Sequence, residues 1–112
     1  MCTELQIKNI VKIMIQEYRR IYGNDIVDIL LFGSYARGDY DSQSDMDIVG
    51  IVRGQREQLQ QKLKQLWDIS ADLGLENDVI ISPTVIPYEE FTRRKSMLPY
   101  YRNIEKEGIK IG

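Results

Sequence analysis

Histidine is absent from these 112 residues. That excludes histidine bases, histidine metal ligands and any Ser-His-Asp arrangement. Cysteine occurs once, at position 2, so neither an internal disulfide nor a thiolate zinc site can form. A chain of this kind is expected in a reducing cytoplasm. Neither sign of charge dominates: 15 basic residues face 17 acidic ones, for a net charge of −2. Without a basic excess, general nucleic-acid binding through an electropositive surface is not expected. No apolar run approaches the length of a membrane span. The start, Met1-Cys2-Thr3-Glu4-Leu5, lacks the basic and apolar regions of a secretory leader. Repeats, low-complexity tracts and linker-like stretches are missing too. The length suits one core, so residues 1–112 are expected to form one domain.

What is present is an alternation of helical and strand-like patterns. Ile7, Ile10, Val11, Met14, Tyr18 and Ile21 recur at helical spacing and predict a helix from Leu5 to Tyr22. Thr3 is its expected N-cap, and Gly23-Asn24 its stop. Ile26 to Phe32 is almost wholly apolar and reads as a strand buried on both faces. Ser34 to Arg37 predicts a short helix, Gly38 to Ser44 a polar turn, and Met46 to Arg53 a second strand. A second long helix is expected from Gln55 to Leu73. Its apolar stripe of Leu59, Leu63, Leu66, Trp67 and Leu73 is assigned to the core, and Gly74 to its end. A third strand, Asp78 to Ser82, is expected to close at Pro83. Tyr88 to Arg94 and Pro99 to Glu107 follow as short helices. The pattern predicts an α/β fold with a small mixed β-sheet and flanking helices.

The chemistry concentrates between the first two strands. Gly33-Ser34 leaves the first strand, and ten residues later Asp45-Met46-Asp47 opens the second. Side chains alternate along a strand, so Asp45 and Asp47 share a face. Two carboxylates on one face repel unless a cation lies between them. Mg²⁺ suits such an oxygen-rich pair, because it is commonly held by one or two carboxylates together with substrate phosphates. Mn²⁺ suits it as well. The Gly-Ser turn offers backbone N–H groups and a hydroxyl to a triphosphate. Asp78, at the mouth of the third strand, is the candidate third carboxylate and, with no histidine available, the candidate base. Arg37 is equally suited to phosphate or to solvent. Asp39 and Asp41 read as ordinary loop acids. A P-loop is excluded because no Gly-Lys-Ser/Thr follows Gly33, and an EF-hand from Asp39 lacks its Gly and Glu.

Gly33-Ser34, ten residues, then Asp45-X-Asp47 resembles the signature of the polymerase-β-like nucleotidyltransferases. The Gly-Ser-X-Ala-Arg-Gly form and the tail from Arg102 to Gly108 are similar to the minimal, MNT-type branch. The resemblance implies that Asp45, Asp47 and Asp78 hold Mg²⁺ (or Mn²⁺) and act in catalysis, and that Gly33, Ser34 and Arg37 bind the nucleotide. It also implies transfer of a nucleoside monophosphate, most often AMP from ATP, with release of pyrophosphate. Proteins of this type are commonly antitoxins of HEPN-domain RNase toxins, silencing the toxin by adenylylating one of its tyrosines or by binding alone. A HEPN toxin is therefore the expected partner, with a small-molecule acceptor as the alternative.

Overall fold

The computed structural model describes residues 3–112, so Cys2 lies outside them. Helix α1 spans Glu4–Tyr22 and ends in a single 3₁₀ turn, Gly23–Asp25. Strand β1 (Ile26–Phe32), helix α2 (Ser34–Arg37), strand β2 (Asp45–Val52) and helix α3 (Arg56–Asn77) follow. Strand β3 (Ile80–Pro87), helices α4 (Tyr88–Arg94) and α5 (Pro99–Glu107) and the short strand β4 (Ile109–Lys110) complete the order. Thr3 caps α1 through a reciprocal pair: Gln6 N donates to Thr3 Oγ1 at 3.1 Å and Thr3 N donates to Gln6 Oε1 at 2.8 Å.

The four strands form one mixed sheet in the order β3-β2-β1-β4. β1 is antiparallel to β2 and β4, whereas β2 and β3 are parallel and joined through α3. A parallel pair needs such a crossover, and the long amphipathic α3 supplies it. One face of the sheet carries Ile29, Leu31, Met46, Ile48, Val52, Ile81 and Val85 against α1 and α3. The other carries Leu30, Val49, Ile51 and Ile86 against Phe91, Tyr101 and Ile104 of the two C-terminal helices. Both faces are covered, which is why β1 and β2 are apolar nearly throughout.

Three expectations need correction. Helix α3 runs through Gly74 to Asn77. A Cβ at Gly74 would come within 2.4 Å of the Val79 carbonyl oxygen, so the glycine serves the close return of the chain over the helix. The helix stops instead at Asp78, whose φ of 54° is left-handed. Strand β3 starts later than expected, at Ile80, and runs through Pro83 to Pro87. It tolerates proline because it is an edge strand. Trp67 is not core. It is 57% exposed, and its Nε1 donates to the Pro83 carbonyl at 3.2 Å.

Tyr18 joins α1 to the sheet. Its ring lies over Gly50, where a Cβ would meet Tyr18 Cε1 at 2.6 Å. Its hydroxyl accepts from Thr84 N at 3.2 Å and faces the carbonyls of Ile48 (3.1 Å) and Thr84 (2.8 Å) as a donor. Tyr22 hydroxyl donates to the Leu59 carbonyl at 2.8 Å and ties α1 to α3. Burial pushes the Tyr22 phenol up to about 12 and the Tyr18 phenol up as well. Both phenols are therefore neutral in the native state, and their stabilising contribution is intact below the ordinary tyrosine value of 10.0. It is lost as pH rises from there through about 12. Two outcomes follow for urea melts. Tyr18→Phe, which orphans the Thr84 amide and its neighbouring carbonyls, is expected to cost about 1–3 kcal/mol. Tyr22→Phe is expected to shift the onset of alkaline unfolding upward.

Candidate active site

Asp45 and Asp47 sit at the start of β2 and point to the sheet face covered by α5, in line with Val49 and Ile51. Across the antiparallel ladder Asp47 pairs with Phe32, the last residue of β1. The chain then turns at Gly33 into α2. Gly33 has φ 79° and ψ −152°, a combination that is essentially restricted to glycine. A Cβ there would lie 2.8 Å from Asp47 Oδ2. The turn is thus pressed onto the carboxylate, for reasons of both backbone conformation and space. Ala36 N and Arg37 N donate to the Gly33 carbonyl at 3.0 and 3.1 Å and close the short helix.

Asp47 is half-buried, and burial first, then the charge of Asp45, raises its pKa. An approaching cation relieves both causes. Asp45 is exposed, at the mouth of the site. The ordinary hydroxyls of the Gly38–Ser44 loop organise themselves locally. Gln43 N donates to Asp41 Oδ1 at 2.8 Å and Asp41 N to Ser44 Oγ at 3.0 Å, so Asp41 shapes the loop that delivers Asp45. Arg37 forms exposed ion pairs with Asp39 (3.3 Å) and with Glu107 (3.8 Å) at the end of α5.

Asp78 lines a cleft together with Ser44, the residue before Asp45, and with Ser82. It is the left-handed residue that ends α3, two positions before β3 begins. The register pairs Asp45 with Ile80 and Asp47 with Ser82. Among the described residues, no group of three or more His, Cys, Asp or Glu side chains is placed to hold a metal ion. The donor set that does share a face is the pair Asp45 and Asp47. Two carboxylates suffice for a hard cation that completes its shell with water and phosphate oxygens.

Two further residues stand at this site. Ser82 occupies the β3 position beside Asp47. Tyr100, at the start of α5, sets its ring edge-on to Phe32 with centroids 6.1 Å apart and planes at 88°. Its phenol is raised by burial first and by the Asp47 charge second. Neither residue stands out in the sequence, because the parallel register and the return of α5 over the sheet bring them in. Of the aromatics of α4 and α5, Phe91 and Tyr101 pack into the core, Tyr88 is half-buried and Tyr100 remains half exposed.

The family model of the nucleotidyltransferase domain matches residues 7–111. The chain belongs to the nucleotidyltransferase family. Two proteins of Methanocaldococcus jannaschii that carry the provisional name protein adenylyltransferase are similar to it at full length. One is 35% identical over 107 residues, covering 96% of this chain and 100% of that protein. The other is also 35% identical over 107 residues, covering 94% and 93%. A crystal structure described as a toxin-antitoxin with AMP-PNP superposes with a TM-score of 0.55 at 18% identity, over 88% of this chain and 70% of that one. A Sulfolobus solfataricus structure provisionally described as a nucleotidyltransferase superposes with a TM-score of 0.50 at 19% identity, over 94% and 80%. At these identities the likeness is one of fold, and the fold is that of the polymerase-β-like nucleotidyltransferases. No helix among the described residues is long and apolar enough to cross a membrane.

Because the raised pKa of Asp47 disfavours its charged form in the folded chain, the metal-free protein gains stability at low pH. It loses that increment as pH rises through the raised value. Asp47→Asn is therefore expected to raise the Tm of the metal-free protein at pH 7, relative to wild type, in differential scanning calorimetry. The gain should shrink as the melts are moved to acidic pH.

Proposed function

We propose that this chain is a metal-dependent adenylyltransferase that moves AMP from ATP to a hydroxyl of a protein partner, releasing pyrophosphate. The observation that carries the reading is the Gly33 turn seated against the Asp47 carboxylate, with Asp45 on the same strand face. The full-length similarity to proteins named as protein adenylyltransferases supports the choice of a protein acceptor.

In this reading Asp45 and Asp47 hold Mg²⁺, and Mn²⁺ is an alternative. Bound there, the ion neutralises phosphate charge and aligns attacking and leaving oxygens. Gly33 and Ser34 orient the triphosphate: the glycine allows close approach, and the serine contributes its hydroxyl at the first turn of α2. Arg37 steadies α2 against α5 through Glu107 and leaves its outer charge to the phosphates. The acceptor is a tyrosine of a HEPN-domain toxin. Asp78 is assigned to ending α3 rather than to catalysis, since aspartate is among the few non-glycine residues that tolerate left-handed backbone.

Incubation with Mg²⁺, α-labelled ATP and a HEPN-domain toxin of the host should label the toxin. Asp45→Asn and Asp47→Asn should each lower the rate on the order of a hundredfold or more. Asp78→Asn should stay within a few-fold of wild type, because asparagine accepts the same backbone. Labelling that survives Asp47→Asn would overturn the reading. Exposed Met97, Leu98 and Tyr100, around the start of α5, favour a second reading, neutralisation by binding alone. Unlabelled toxin that is nevertheless silenced by the double Asp45/Asp47 variant would establish it.

A further inference from the structure

We infer that the Tyr100 ring is the platform on which the nucleobase of the donor nucleotide stacks; the inference rests on the nucleotide reading of the Gly33, Asp45 and Asp47 site. The geometry is a short chain of neighbours. Asp47 pairs across the ladder with Phe32, and Phe32 sets its ring edge-on to Tyr100. Tyr100 therefore stands on the same sheet face as the carboxylates, at the β1 side of the site and next to the Gly33 turn. The electrostatic coupling of its phenol to Asp47 agrees with that placement.

The ring is also held in a state suited to stacking. It is 48% exposed, whereas its neighbour Tyr101 is buried. Phe32 fixes it on one side and Tyr101, at 5.9 Å between centroids, on another. A half-open aromatic fixed by two others loses little rotamer freedom when a flat ligand settles on it. Of the aromatics of α4 and α5, it alone combines exposure with a contact to the strand pair that carries the carboxylates. Exposed aromatic rings receive any nucleobase through its π-face, with a preference for larger rings and little hydrogen-bond discrimination. On the opposite flank the register places Ile80, 65% exposed, beside Asp45. The exposed ring on that flank, Trp67, belongs to α3, which covers the sheet face opposite to the carboxylates, so the base is assigned to the Tyr100 side.

The test separates base from phosphate. Binding of ATP and of tripolyphosphate, each with Mg²⁺, would be measured by calorimetry for wild type, Tyr100→Ala, Tyr100→Phe and Asp47→Asn. Tyr100→Ala is expected to weaken ATP about ten- to hundredfold and to leave tripolyphosphate unchanged. Tyr100→Phe, which keeps the ring, should bind ATP within about twofold of wild type, and in wild type ATP should bind more tightly than CTP. Equal ATP affinity in wild type and Tyr100→Ala would overturn the platform, as would a parallel loss of tripolyphosphate or a failure of Tyr100→Phe to restore binding. Asp47→Asn should weaken both ligands. If it weakens neither, the nucleotide site itself is misassigned and the platform falls with it. If it weakens both while Tyr100→Ala weakens neither, only the platform fails.

Discussion

One hydroxyl ties helix α1 to both strands of the parallel β2–β3 seam. Tyr18 reaches from α1 to the carbonyls of Ile48 and Thr84 and the amide of Thr84, and it takes that place only because Gly50 leaves room for its ring. A tyrosine tip buried without partners would be costly, and backbone groups left open in a seam would be as well. Each satisfies the other. The result is that the strand carrying Asp45 and Asp47 is anchored from the face opposite to the one that displays them. Site and anchor do not compete for the same residues.

The Gly33 turn is the counterpart on the displaying face. Its backbone conformation and its contact with Asp47 make the same demand for a missing side chain. A carboxylate half-buried beside another carboxylate and roofed by a backbone turn is an electrostatic load on the folded chain. Such a load is tolerated where function requires it. The polymerase-β-like fold confines it to the open end of the sheet, where Phe32 of β1 meets Tyr100 of α5.

Much of this was legible in the residues themselves. The elements β1, α2, α4 and α5 fall where periodicity, glycine and proline place them, because their ends are set by local turn and cap chemistry. The misreadings share a cause. Gly74 and Pro83 read as stops by local rules, yet each is explained by its place in the fold: the returning Val79 carbonyl for the one, the open edge of the sheet for the other. Trp67 lies at the flank of the stripe, between the buried Leu66 and Leu73, and apolar spacing alone does not mark that flank as uncovered. Strand β4 is two residues long and exists only because α5 delivers it to β1. At the site, the Gly-Ser and Asp-X-Asp elements were visible because they are contiguous in sequence. Ser82 and Tyr100 were not, because register and helix return are properties of the folded chain.

The prolines of β3 have a consequence for the life of this chain among its own copies. Thr84 directs its amide into the seam, so the alternation of a strand turns the nitrogens of Pro83 and Pro87 to the open side. Neither has a hydrogen to donate, and the Pro83 carbonyl is already engaged by Trp67. A strand offered to this border would find gaps where its acceptors need donors. At its β3 border the sheet is therefore self-terminating, a poor template for a strand from another sheet.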